Sequence, residues 1–238
     1  MTTNVADRMT GVDFEKMNSQ ELLAWGLKEF GNKIALASSF GAEDVVLIDM
    51  IVKIRKDARI FSLDTGRLPQ ATYDVMHEIQ HKYGIAIEVM FPDTEKTQAM
   101  VRGKGMNSFY ESIENRKECC NIRKVEPLKK LLATCEAWIT GLRREQNVTR
   151  AAVAKAEVDK GFGGILKLNP LADWTSKQTW DYIKEHGVPY NKLHDRNYPS
   201  IGCEPCTRAI KAGEDERAGR WWWENPDSKE CGLHVKRN

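Results

Sequence analysis

Cysteine is the residue type whose placement most constrains the chemistry of this chain. Cys119 and Cys120 are adjacent, and Cys203-Glu204-Pro205-Cys206 carries a second pair on one short piece of backbone. Thiolates arriving as two pairs form the donor set of a four-coordinate metal site. Closed zinc and an iron–sulfur cluster are the two candidates. Zinc prefers pairs spaced by two to four residues, which fits Cys203 and Cys206 but not an adjacent pair. A cubane offers separate irons to adjacent thiolates, so Cys119-Cys120 favours the cluster. A vicinal disulfide between those two would be strained. Lys124, four residues after Cys120, stands one helical turn away if the segment is a helix, where it reads either as a donor to cluster sulfurs or as a solvated lysine.

Cys231 lies outside that set, seven residues from the last residue, in the polar stretch Lys229-Glu230-Cys231-Gly232-Leu233-His234. A cysteine there is hard to explain as core. An ordinary thiol ionises near about pH 8.5, and nearby cations lower that value. A tail folded over an arginine-rich site would make Cys231 a nucleophile, with His234 either assisting or solvated. Cys135, at a helix end, reads as a structural thiol.

Arginine supplies the anion chemistry. Arg143, Arg144 and Arg150 form one set, Arg217 and Arg220 another. Guanidinium pairs with phosphate or sulfate through two parallel hydrogen bonds. Any one of these reads equally as a surface charge, but Arg143-Arg144 directly follows a strand-like run. Two further segments look like ligand-facing strand ends. Ser38-Ser39-Phe40-Gly41-Ala42-Glu43-Asp44 turns a strand directly into a helix, whose N-terminus suits an anion. Leu63-Asp64-Thr65-Gly66 ends a second strand with an aspartate for ribose or base and a glycine that admits a ligand to the backbone. Tight turns with a capping serine and a solvated aspartate explain each segment alone; together they point to a nucleotide.

The elements that must hold these groups follow from periodicity. Asn18 or Ser19, with Glu21, caps a helix that ends at Gly31. Ile34 to Ser38, Ile60 to Asp64 and Ile85 to Phe91 read as strands; Ala42 to Ile54, Pro69 to Tyr83 and Thr94 to Val101 read as the helices between them. The stretch from Gly103 to Asn121 is polar. Glu126 to Ala133 reads as a helix, Ala137 to Leu142 and Ile165 to Leu168 as strands, and Gln146 to Lys160 as a loop or mobile helix. Thr175 with Gln178 caps a last helix that runs to His186. This rhythm predicts an α/β domain: a Rossmann-like parallel sheet with helices on both faces. The expected organisation is a loosely ordered stretch at 1–17, an α/β domain at 18–206 and a C-terminal extension at 207–238.

Composition sets the limits. The net charge is +2 from 36 basic and 34 acidic residues, so no global field draws the chain to nucleic acid or membrane and any anion site is local. No apolar run approaches the roughly 20 residues of a membrane span, and Met1 to Asp13 has no signal-peptide core. The expectation is a cytoplasmic protein, where six cysteines stay reduced and serve metal or redox chemistry.

From about Ser38 to His234 the chain resembles the assimilatory sulfonucleotide reductases, specifically the cluster-containing adenylyl-sulfate (APS) reductases of bacteria. The landmarks are the two strand-end segments (the second extended to Arg67), Cys119-Cys120-Asn121-Ile122-Arg123-Lys124, Ile201-Gly202-Cys203-Glu204-Pro205-Cys206, Arg217-Ala218-Gly219-Arg220-Trp221-Trp222-Trp223 and the segment around Cys231. The resemblance implies the adenine nucleotide alpha hydrolase-like fold. It implies a [4Fe-4S] cluster on Cys119, Cys120, Cys203 and Cys206, with Lys124 linking the cluster to the substrate's charge. It implies Cys231 as nucleophile, and a nucleotide along Ser38 to Asp44, Leu63 to Gly66, Arg143, Arg144 and Arg150. Arg217 and Arg220 would hold the phosphosulfate, and thioredoxin would be the transient reductant; a homo-oligomer stays open. Alternatives are 3′-phosphoadenylyl sulfate (PAPS) as substrate, alone or beside APS, and a zinc-stabilised nucleotide-binding redox module. The first turn also resembles the phosphate loop of ATP pyrophosphatases but lacks their Gly-Gly and final Ser, which argues against ATP hydrolysis.

Overall fold

The computed structural model describes residues 5–147 and 150–225. The chain opens with helix α1 (Val5–Met9), a 3-10 turn at Phe14–Lys16 and helix α2 (Ser19–Phe30). Asn18 and Glu21 form the expected capping box, and Gly31 ends α2 at φ 53. Strand β1 (Ile34–Ala37), helix α3 (Ala42–Ile54), strand β2 (Arg59–Leu63), helix α4 (Gln70–Tyr83), strand β3 (Glu88–Met90) and helix α5 (Thr94–Lys104) follow. Helix α6 (Ile113–Cys120) runs through a π-turn at Asn121–Val125 into helix α7 (Glu126–Leu132). Strands β4 (Ala137–Ile139), β5 (Ala156–Asp159) and β6 (Ile165–Leu168) and helix α8 (Ser176–Glu185) complete the domain.

The six strands form one sheet in the order β3-β2-β1-β4-β6-β5, parallel except for the β5–β6 pair. Alternation along β1 explains the two-faced core. Ile34 and Leu36 join the buried cluster beneath α2, α3 and α8, whereas Ala35 packs with Phe61, Trp138 and the α7 leucines Leu128, Leu131 and Leu132 on the other face. The strand order reverses between β1 and β4. In a parallel sheet the crevice beyond the carboxyl ends of such a strand pair is where ligands bind.

Several expectations are corrected. Residues 5–17 are not loose: Phe14 is buried, and Val5, Met9, Val12 and Met17 pack on the main core. The strand expected over Ile85–Phe91 is confined to Glu88–Met90, because pairing with β2 begins at Phe61↔Glu88. The stretch expected as a loop or mobile helix from Gln146 to Lys160 contains β5, an edge strand whose antiparallel pairing with β6 stabilises an otherwise polar sequence. The polar stretch before the first cysteine pair contains α6, capped by Ser112. Among the described residues no helix is long and apolar enough to cross a membrane.

Candidate active site

A cavity of about 270 Å³ opens at the predicted crevice, lined by the ends of β1, β2 and β4 and by the segment from Pro199 to Gly202. The β1–α3 turn forms one wall. Phe40 adopts a positive φ of 59 there, with its ring fully buried in the core. The Phe40 amide donates to Ser38 Oγ at 3.1 Å, and the Ser39 amide and hydroxyl donate to Asp44 Oδ2 at 2.6 and 2.8 Å. Burial pushes the Asp44 carboxyl up to about 6, against the pull of those bonds. Gly141, at the end of β4, packs directly on this carboxylate: a Cβ there would fall 2.5 Å from Asp44 Oδ1.

Arg143, Arg150, Arg217 and Arg220 all line the cavity. Arg143 is buried among three carboxylates, with contacts of 2.7 Å to Glu43, 3.0 Å to Glu145 and 3.9 Å to Glu216. Burial holds Glu216 above the ordinary carboxylate range. Arg150 donates to Gln146 Oε1 at 2.6 Å. Arg220 lies over the ring of buried Trp221 at 4.8 Å, and Arg116 lies over the same ring at 4.9 Å. Arg116 is also held by Glu224 through two bonds of 2.8 and 2.7 Å.

The four cysteines meet beside this cavity. Cys119, Cys120, Cys203 and Cys206 line a second, smaller cavity with Arg67, Phe109, Arg116, Arg123 and Lys124, and Lys124 belongs to both walls. The π-turn that follows Cys120 carries Arg123 and Lys124 toward the sheet. Arg123 donates to the Thr65 carbonyl at 2.6 Å, and the Thr65 hydroxyl lies 3.2 Å from Cys203 Sγ. Burial alone would raise Cys203, but Lys124, Thr65, Arg220 and Arg123 outweigh it and hold the thiol below its ordinary value. Burial and neighbouring Cys203 push Cys206 up to about 12, and burial raises Cys119. Among the described residues no three His, Cys, Asp or Glu side chains converge as a single metal ion requires. Four thiols outside any disulfide around one cavity, ringed by cations, are a donor set that fits a larger anionic cluster.

The structure brings Ser38, Ser39, Gly41, Asp44, Leu63, Lys124, Arg143, Arg150, Arg217 and Arg220 to the main cavity. Other expected contacts lie elsewhere. Phe40 is core. Asp64 accepts from the Gly66 amide at 2.7 Å and the Tyr73 hydroxyl at 3.0 Å, and Thr65 and Gly66 face Arg123 and the cysteines. Arg144 turns away, donating to the Val153 carbonyl at 2.8 Å and to Glu15 at 2.7 Å; it opens the 3-10 turn Arg144–Gln146, whereas Arg143 before it is still extended. Cys231 and His234 lie outside the described residues. Sequence reasoning missed Gln146 and His194, and included Glu43 only within the stretch Ser38 to Asp44. His194 stacks edge-on against Trp180 at 5.1 Å, burial keeps its imidazole below the ordinary value, and its buried Nε2 has no hydrogen-bond partner among the described residues. His194 lies beyond the end of α8, too far along the chain from Trp180 for any local spacing to signal their meeting; only the fold supplies it.

Comparison with known proteins extends this geometry. Residues 33–209 match the phosphoadenosine phosphosulfate reductase domain. The chain is 49% identical over 235 residues to an adenosine 5'-phosphosulfate reductase of Burkholderia cepacia, covering 99% of this chain and 94% of that protein. It is 51% identical over 216 residues to the adenosine 5'-phosphosulfate reductase of Allochromatium vinosum, covering 91% and 84%. Among solved structures, the phosphoadenylyl-sulfate (PAPS) reductase from Candida auris, a phosphate complex, superposes with a TM-score of 0.70 at 29% identity, covering 86% of this chain and 95% of that one.

Proposed function

The chain belongs to the phosphoadenosine phosphosulfate reductase family, and on that premise we infer that it reduces adenosine 5'-phosphosulfate to sulfite and AMP, with a dithiol protein of the thioredoxin type as reductant. The observation that carries this reading is near-half identity, over almost the full length, to proteins named for that reaction. The nucleotide crevice and the four-cysteine cavity sharing Lys124 support it.

In the proposed mechanism the adenosine end enters between the ends of β1, β2 and β4, and the phosphosulfate runs toward Lys124, Arg217 and Arg220. The Cys231 thiolate attacks the sulfuryl sulfur. The bond to the phosphate oxygen breaks, AMP leaves with that electron pair, and a cysteine S-sulfonate forms. A reductant thiolate then attacks Cys231 Sγ and expels sulfite; its second thiol resolves the mixed disulfide, regenerates the Cys231 thiol and leaves the reductant oxidised. The two thiols supply both electrons that take sulfur from sulfate to sulfite level. The arginines balance charge on the leaving phosphate. Glu224, pinned by Arg116, lies seven residues before Cys231. An extended chain of that length reaches about 24 Å, enough for the tail to cross the cavity mouth.

Cys119, Cys120, Cys203 and Cys206 would hold a [4Fe-4S] cluster, which would supply a fixed charge beside Lys124. Residues 18–206 then form the nucleotide-binding domain and 207–238 the extension that brings the nucleophile, in a protein we assign to the reducing cytoplasm. Sulfite release from APS and from PAPS, each with reduced thioredoxin, tests the reading. Sulfite from APS is expected; release from PAPS alone would overturn the substrate assignment. Iron with acid-labile sulfide supports the cluster, whereas one zinc per chain contradicts it.

A further inference from the structure

The turn that should be the cavity's best anion seat is filled by the protein itself. A strand-to-helix turn presents backbone amides and the positive end of a helix to a ligand phosphate. Here the Ser39 amide and hydroxyl donate to the Asp44 carboxylate, and the Phe40 amide donates to Ser38 Oγ. Two consecutive amides of the turn therefore have internal partners.

The start of α3 is also covered. Gly141 sits so close above it that a Cβ would meet Asp44 Oδ1 at 2.5 Å, the Glu43 Cβ at 2.9 Å and the Asp44 backbone nitrogen at 3.5 Å. Glu43, in the same first turn, accepts from Arg143 Nε at 2.7 Å and from Gln146 Nε2 at 2.9 Å. Arg143, the cation nearest that turn, is already shared among Glu43, Glu145 and Glu216. A phosphate arriving here would meet two carboxylates. On the other side of the same cavity stand Lys124, Arg217 and Arg220. The cavity is thus polarised, acidic at the helix start and basic toward the cysteines.

We propose that Asp44 is a specificity residue that closes the β1–α3 turn to ligand anions, so that the cavity admits adenosine monophosphate compounds and discriminates against ATP. The inference rests on the reading that the cavity binds an adenylyl nucleotide, and it adds a reason why the abundant triphosphate does not compete. Like-charge repulsion at contact distance is large enough to set a tenfold or greater preference.

Titration calorimetry of the holoenzyme with AMP and with ATP, on the unaltered protein and on Asp44→Ser, tests it. Asp44→Ser is expected to tighten ATP binding by about tenfold or more relative to AMP. Parallel shifts for the two nucleotides, or unchanged ATP affinity, would overturn the proposal. Failure of the unaltered protein to bind AMP would instead overturn the nucleotide reading beneath it. If Asp44→Ser does not fold, Asp44→Asn removes the charge while keeping an acceptor for Ser39, and the same selective gain for ATP is required of it.

Discussion

The Thr65 hydroxyl lies 3.2 Å from the Cys203 sulfur, which ties the end of β2 to the second cysteine pair. Arg123 closes the same link from the other side by donating to the Thr65 carbonyl at 2.6 Å. The end of β2 is therefore joined to the cysteine cavity by two hydrogen bonds. Hydrogen bonds to ligating sulfur tune such centres. Thr65→Val should keep iron bound but speed its loss to a chelator by about fivefold, the equivalent of one hydrogen bond of roughly 1 kcal/mol. An unchanged release rate would show that this contact does not support Cys203.

Arg116 and Glu224 form a bidentate pair with both side chains almost fully buried. Replacing the carboxylate takes away the bidentate counter-charge of a buried guanidinium, at a cost of about 3 kcal/mol. Glu224→Gln should lower the melting temperature by about 6–12 °C. It should also slow sulfite formation, because the pair fixes where the extension to Cys231 begins. A variant that melts lower yet turns over normally would remove that anchoring role.

Asp44 makes a prediction with a definite sign. Its carboxyl is raised by burial from 3.8 to about 6. Between those values the folded chain holds a proton that the unfolded chain has lost, so this group's contribution to stability falls as pH rises through the window. The slope is steepest, at about 1 kcal/mol per pH unit, near roughly pH 5, midway between the two values, and fades above pH 6. Denaturant titrations of the unaltered protein and Asp44→Ser should differ by that slope, with Asp44→Ser the flatter of the two. Equal slopes would mean that Asp44 is ionised throughout.

Much of this site is legible in the sequence because its signals are local. The strand-to-helix turns, the capping pairs Asn18/Glu21 and Thr175/Gln178, and the two cysteine pairs each sit on a short stretch of backbone. What escaped depends on long-range pairing or on side-chain direction. β5 has a polar sequence and exists only because β6 lies beside it. Arg143 and Arg144 look equivalent in sequence, yet one is buried at the cavity and its neighbour reaches Glu15 on the other side. Phe40 sits in a ligand-facing turn but its positive φ drives the ring into the core. Trp221 reads as one of three tryptophans, and only the fold shows it sandwiched between Arg116 and Arg220 while Trp222 stays exposed.

Cys203 and Cys231 should separate cleanly when replaced. Cys203→Ser removes one of the four thiols that line the cysteine cavity, so it should lose iron and the visible absorbance of a cluster. Cys231→Ser leaves all four in place and should keep both while losing turnover. Loss of absorbance in Cys231→Ser, or its retention in Cys203→Ser, would reverse the division of roles.

The central claim is that sulfur is transferred to Cys231 before any reductant is needed. Mass spectrometry of the protein mixed with APS alone tests it most directly. The account predicts one added sulfonate on the peptide containing Cys231, with AMP released in equal amount, and its disappearance as sulfite when reduced thioredoxin is added. Sulfite formation with Cys231 unmodified, or a sulfonate on any other cysteine, would contradict it.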